Sequence, residues 1–248
     1  MAGVRSHNPD SQMFTRLATL TSLGLNFSHI IDVGANRGKW TQDAGQVWPA
    51  ATFLLVEANP MHREKLFATG YPVVISALGD RDGANVSMWE STDGRKNYHD
   101  TGNSMFKERT GKPWWVRPTY RRMSTLDVVF NQIADPAWSH VRGPQPNKYT
   151  MMLKLDVQGA EALVLRGASL QVVPRCSAIL LELSILDYNH GAPRAFDMHS
   201  ILEALGFRLY DILGLHYNSR GLLLQVDVLF LRKNHRFWTK KVTGLAEP

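Results

Sequence analysis

The sequence predicts a single doubly wound α/β domain over residues 1–248, with a mostly parallel sheet closed by a C-terminal antiparallel hairpin. Three observations predict it. Aliphatic and β-branched runs alternate with amphipathic stretches along most of the chain, the pattern of strands feeding crossover helices. The first such run, Ile30 to Val33, leads straight into Asp32-Val33-Gly34-Ala35-Asn36-Arg37-Gly38, a glycine turn ahead of a helix-compatible stretch. The last two runs, Phe207–Leu213 and Leu222–Leu231, are joined by a short Asn-Ser-Arg-Gly turn, which implies the hairpin.

Each element follows from its local pattern. Residues 9–25 read as an amphipathic helix, because Met13, Phe14, Leu17, Leu20 and Leu23 recur near helical spacing and Gly24 fits a stop. Strand Ile30–Val33 is followed by a helix from Lys39 to Trp48, closed by Pro49, and by strand Thr52–Glu57. Pro60 to Ala68 is the next helix, and Val73–Leu78 the third strand, ended by Gly79-Asp80. Val86–Trp89 alternates and makes a short strand after the Asp82-Gly83 turn. Residues 93–122 hold no sustained period and read as a long loop or lid, a length that is usually functional. Ser124–Ile133 is a helix begun by a Ser/Thr cap, and 135–149 a proline-rich connector. Tyr149–Asp156 is almost continuously apolar and so a central parallel strand. A helix at Ala160–Leu170, a buried strand at Ala178–Leu183 and a helix at Phe196–Leu205 complete the alternation.

The composition bounds the class. A hydrophobic share of 44% supports a proper core, and the single cysteine, Cys176, excludes an intramolecular disulfide framework. Cys176 opens a buried strand and reads as an inert thiol. No apolar leader and no run approaching the ~18 apolar residues of a membrane span is seen, so the expectation is a cytoplasmic chain or a soluble domain of a larger protein. The formal charge is +6, and between Asp93 and Arg122 eight bases face three acids, interleaved with Tyr98, Trp114, Trp115 and Tyr120. The positive charge is therefore a local device.

The glycine turn indicates the cofactor. Its spacing is not the dinucleotide Gly-x-Gly-x-x-Gly, and Asp32 would repel a pyrophosphate. S-adenosylmethionine carries an ammonium and a sulfonium, which turn the same carboxylate into an asset. Asp32, Gly34, Ala35, Asn36 and Gly38 are therefore read as its methionine-side binding turn. Glu57, nineteen residues past Gly38 at the end of the second strand, is placed to accept the ribose hydroxyls. Ser76 and Ala77 either meet the adenine or merely end a strand.

At this point the residues resemble the FkbM-type methyltransferases of the class I S-adenosylmethionine-dependent fold. The resemblance rests on Asp32 to Gly38, Val56-Glu57-Ala58-Asn59-Pro60, Ala77-Leu78-Gly79-Asp80, Ser124-Thr125-Leu126-Asp127, Lys154 to Glu161 and Leu165-Arg166-Gly167-Ala168, and covers roughly residues 28–185. The family usually has Glu where this chain has Gln158, which removes one acid from the site. The resemblance implies O-methylation, commonly of hydroxyls on sugars, glycans or polyketide-like small molecules.

Methyl transfer to an alcohol needs alignment and a proton acceptor. Asp156 and Glu182 fall at the ends of adjacent predicted strands, and Lys154, two residues before Asp156, points to the same face. They are read as a cluster that binds and deprotonates the acceptor, with Asp156 the preferred base; the bland alternative is a structural ion pair. Asp156 and Glu182 could also hold Mg²⁺ or Mn²⁺ through oxygen ligands, whereas no His/Cys spacing suggests zinc. Glu161 is read as holding its turn by hydrogen bonds, and His190 as an alternative base or a solvated loop residue. Trp114, Trp115, Arg121 and Tyr188 are the candidate acceptor-binding residues, for a small-molecule or glycan acceptor under the 93–122 segment. The competing reading of that basic, aromatic segment is a nucleic-acid-binding protein or RNA methyltransferase. A catalytically dead binding module is a third, against which Asp32, Glu57 and Asp156 speak.

Overall fold

A computed structural model describes residues 9–90, 102–109, 118–142 and 150–239. Helix α1 (Pro9–Ser22) precedes β1 (His29–Val33), α2 (Lys39–Val47) and β2 (Thr52–Glu57). A 3₁₀ turn at Pro60–His62 and α3 (Arg63–Phe67) lead to β3 (Val73–Ile75), β4 (Ala77–Leu78), β5 (Asn85–Trp89) and β6 (Pro118–Ser124). Then follow α4 (Leu126–Gln132), α5 (Pro136–Arg142), β7 (Met151–Leu155), α6 (Glu161–Gly167), α7 (Val172–Arg175), β8 (Cys176–Ser184), α8 (Ala195–Ala204), β9 (Phe207–Tyr217) and β10 (Leu223–Arg232).

Seven strands form one sheet in the order β3-β2-β1-β7-β8-β10-β9. The first five are parallel, and β10 runs antiparallel to both β8 and β9, the expected terminal hairpin. The chain winds outward from β1 to β3 and returns to β7 on the other side of β1. The switch point therefore lies between β1 and β7, where open α/β sheets bind their ligands. Because strand side chains alternate faces, Ile31, Val33, Leu54 and Val56 enter one core with Phe130, Leu165 and Leu202. Ile30, Phe53 and Leu55 enter the other with Leu17 and Leu20 of α1 and Ala44 of α2. Both faces are covered, which fixes the register and leaves the strand ends as the open positions.

Four elements depart from the sequence expectation. The third strand breaks at Ser76, because β2 ends at Glu57 and offers β3 partners only from Leu55 to Glu57. Beyond that, Ala77 and Leu78 pair with Met123 and Ser124 in a second sheet of order β4-β6-β5. The C-terminal end of the presumed loop is strand β6, with Arg122 opposite Asn85 and Pro118 opposite Trp89. The connector at 135–149 contains α5: Asp135 accepts the Ala137 amide at 2.8 Å, and Pro136 takes the first helical position, where a proline costs nothing. The helix expected at 160–170 ends at Gly167 and a separate short helix, α7, follows it, because the Asp127 carboxylate gathers the amides of Leu170, Gln171 and Val172 at 2.8–3.0 Å. Cys176 is buried as expected, and burial pushes its thiol up to about 12. Among the described residues no helix is long and apolar enough to cross a membrane.

Candidate active site

The loops after β1, β2 and β7 meet at the switch point. Gly34 has φ +77°, and a Cβ on it would lie 1.9 Å from the Asp156 carbonyl oxygen, so only glycine lets the two loops touch. Glu57 joins the β1 and β2 loops. One carboxylate oxygen accepts the Asn36 amide and the other the Asn59 amide, each at 2.7 Å. Burial raises the Glu57 carboxyl above its ordinary range, and the two amide bonds oppose this. Each oxygen has a second lone pair, and the side chain lines a cavity with Gly34, Asn36, Ser76, Leu78, Met88 and Asp156. A carboxylate facing a cavity of mixed polar and apolar lining fits a ribose and an attached base.

Not every predicted cofactor residue lines that cavity. Asp32 is fully buried beneath it, because Lys154 Nζ sits 2.9 Å from one of its oxygens and the Thr41 hydroxyl donates to the other at 2.6 Å. Its carboxylate is paired inside the protein and lines neither this cavity nor the neighbouring one. Gly38 has φ +78° and starts α2, packing near Thr69 without lining the cavity. Ala77 is buried in β4, and Leu78 takes the lining position instead, beside Ser76. Ala35 lines a neighbouring cavity, and Asn36 lines both.

Lys154, Asp156 and Glu182 border a common cavity, as the sequence suggested, but the ion pairs of Lys154 are with Asp32 and Asp156. Besides Asp32 it reaches the Gly34 carbonyl at 3.1 Å and Asp156 only at 3.6 Å. Burial pushes its pKa down, but the Asp32 and Asp156 carboxylates outweigh this and hold it above the usual lysine range. It stays charged and cannot take a proton. What connects the two carboxylates is Gln158, at φ +52°, whose amide donates to Asp156 at 3.0 Å and to Glu182 at 2.8 Å. That amide presents hydrogens where a cation shared by Asp156 and Glu182 would sit, so the expected two-carboxylate metal site is not formed. Glu161 does what the sequence suggested, accepting the Val157 and Gly159 amides at 3.2 Å.

Asp156 also borders a second cavity of about 350 Å³, where sequence reasoning missed most of the wall. One side carries Phe14 and Trp40, with ring centroids 6.1 Å apart; the other carries Glu182, His216 and Asp227. His216 Nε2 shares a hydrogen bond with Asp227 at 2.6 Å. Burial, then the Asp156 and Asp227 charges, push Glu182 up to about 8. The signal that could have found Asp227 is the one that singled out Lys154: a charge inside an apolar strand.

The remaining candidates lie elsewhere. His190 is exposed and lines neither cavity; its amide donates to the Lys107 carbonyl. Tyr188 also lines neither, and its phenol donates to Glu108, with burial and that bond raising its pKa. Arg121 is held by Glu90 at 2.8 Å, and Glu90 in turn lines the first cavity. Trp114 and Trp115 lie outside the described residues.

A mostly parallel sheet with its cavity at the β1–β7 switch, a glycine turn after β1 and an acid ending β2 define a Rossmann-like fold of the class I methyltransferase type. Residues 32–209 match the methyltransferase FkbM domain, and the chain belongs to that family. It is accordingly an S-adenosylmethionine-dependent methyltransferase. No curated relative matches the chain. Among solved structures it is similar to precorrin-6y C5,15-methyltransferase from Geobacter metallireducens, with 11% identity, a TM-score of 0.45 and 94% of each chain covered. It is also similar to the 1,6-didemethyltoxoflavin-N1-methyltransferase of Burkholderia thailandensis, solved with S-adenosylhomocysteine bound. There the identity is 10% and the TM-score 0.43, covering 90% of this chain and 79% of the other.

Proposed function

We propose that the protein transfers a methyl group to a hydroxyl of a sugar, on a glycan or glycoside. The observation that carries this reading is the second cavity. It meets the cofactor cavity at Asp156 and sets the Trp40 and Phe14 rings against a wall of carboxylates and an imidazole. A pyranose has apolar C–H faces and a polar rim, so aromatic faces and acceptors on opposite walls suit it. When bound, S-adenosylmethionine supplies an activated methyl group and leaves as a neutral thioether. Asp156, at the junction of the cavities, is positioned to receive the acceptor's hydroxyl proton. Lys154 keeps its own proton and, 3.6 Å away, balances the Asp156 charge. Glu57 and Ser76 hold the cofactor's nucleoside end. Trp114 and Trp115, which lie outside the described residues, are proposed as further acceptor-binding side chains.

Part of the basic charge in that segment is already spent. Arg121 pairs with Glu90, Arg109 pairs with Asp187 at 2.7 Å, and Lys107 lies 5.3 Å from the Trp89 ring centre. This supports the sugar reading over a polyphosphate one. Labelled-methyl transfer to a panel of glycosides, short RNAs and simple alcohols tests it. The expected result is label on a sugar hydroxyl, a higher KM for the acceptor in Trp114→Ala or Trp115→Ala, and a kcat lowered about 10²–10⁴-fold in Asp156→Asn. Label on RNA, with binding that falls steeply with salt, overturns it.

A further inference from the structure

We propose that Glu182, His216 and Asp227 form a divalent-cation site on the wall of the acceptor cavity. The register of three adjacent strands builds it. Asp227 on β10 stands directly opposite Glu182 on β8 and opposite Gly214 on β9, and His216 is two residues past Gly214. A spacing of two keeps side chains on one face, so an imidazole and two carboxylates converge over a rigid part of the sheet. One ligand atom from each of the three lies within 4.8 Å of the others.

The surroundings orient these atoms. Gln225 and Gln158 donate to the same Glu182 oxygen at 2.6 and 2.8 Å, which turns the other oxygen toward His216 Nε2, 3.9 Å away. Donors that fix a carboxylate's orientation in this way are the outer shell that metal sites use. Gly214 leaves room for Asp227: a Cβ there would fall 2.3 Å from Asp227 Oδ2. Ligand atoms around a small divalent ion stand roughly 3 Å apart, as bonds of about 2.0–2.2 Å require. The His216–Asp227 pair need open only slightly, and Glu182 close by a side-chain rotation, as the shared proton leaves. One nitrogen and two carboxylates suit Mn²⁺, Fe²⁺ or Zn²⁺ better than Mg²⁺ or Ca²⁺. An ion there would hold an acceptor oxygen next to Asp156, which borders the same cavity.

Manganese binding to the full chain, stripped by chelation and followed by electron paramagnetic resonance and calorimetry, tests this. The expected result is one Mn²⁺ per chain, weakened at least about 10-fold in His216→Ala and in Asp227→Asn but unchanged in Asp156→Asn. S-adenosylmethionine affinity, measured on each variant, reports that the fold and the cofactor site are intact. His216→Gln, which keeps a polar side chain of similar size, replaces His216→Ala should the latter lose cofactor binding. Absence of binding by Mn²⁺ and by Zn²⁺ in a wild-type protein that binds S-adenosylmethionine overturns the proposal. So does binding that survives in the His216 and Asp227 variants or disappears in Asp156→Asn. An ammonium-bearing acceptor filling the wall in place of an ion would give the first of these results.

Discussion

Along β2, β1 and β7, which flank the switch point, the groups facing the cavity come from strand ends and the short loops that follow them. Across β8, β10 and β9, by contrast, they come from within strands and meet only through register. Glu57 is the last residue of β2 and accepts the amides of Asn36 and Asn59. Glu182, His216 and Asp227 are spread over 46 residues and share a wall because β10 lies between two neighbours. The first arrangement makes the cofactor site part of the fold's own hydrogen bonding. The second hangs the proposed acceptor chemistry on a sheet that would stand without it. Substitutions in the two halves should therefore fail in different ways.

The largest expected effect tests the load on the cofactor half. Lys154→Met removes the only cation that meets Asp32 in an ion pair among the described residues and leaves a fully buried carboxylate with the Thr41 hydroxyl. Breaking one side of a buried pair costs about 3–5 kcal/mol, on the order of a 10 °C fall in Tm for a domain of this size. Asp32→Asn combined with Lys154→Met should recover part of it. His216→Ala, on a side chain 26% exposed, should cost less, about 1–3 kcal/mol for the hydrogen bond lost to Asp227. Equal losses from the two single variants, by thermal denaturation, would erase the distinction.

Next comes cofactor affinity. Glu57→Gln replaces one acceptor oxygen with an NH₂, which must then face the Asn36 or the Asn59 amide, donor against donor. S-adenosylmethionine binding should weaken by about 1–3 kcal/mol, whereas Trp40→Ala should move acceptor KM and leave cofactor Kd in place. Calorimetry that finds full affinity in Glu57→Gln would remove this residue from the site.

The same division explains what could be read from the chain. Strand β1, its glycine turn, Glu57 and Asp156 are local signals: an apolar run, a turn residue and a polar residue at the stop. The terminal hairpin is likewise marked by its turn. Asp32 also stood out, but its role did not, since a carboxylate in a motif looks the same whether it faces a ligand or a buried lysine. The break at Ser76 was hidden because apolar residues continue past it, and only the length of β2 decides where pairing stops. His216 and Asp227 become partners through a register that no spacing announces. Some motif residues proved to be structural. Asp127 caps the turn before α7, and Gly167 lets α6 approach the Gly79 carbonyl, where a Cβ would stand 2.0 Å away.

The smallest expected effect lies at the loop that joins the two halves. Val157 and Gly159 flank Gln158, the bridge from Asp156 to Glu182, and both donate their amides to Glu161. Burial pushes the Glu161 carboxyl up to about 7, against the hydrogen bonds from the backbone amides. A carboxyl whose folded pKa lies above its unfolded value binds its proton more tightly in the native state. Its stabilising contribution is then complete below about pH 4.5 and is lost as the pH climbs through about 7. Glu161→Gln keeps an acceptor oxygen for the two amides and cannot ionise. The wild-type Tm should therefore fall relative to that of Glu161→Gln between about pH 5 and 7.5, by a few degrees. Glu182 titrates in both proteins and cancels in the difference. If the two curves run parallel through that window, Glu161 does not gate the loop. The junction between the cofactor and acceptor halves would then be insensitive to pH from this side.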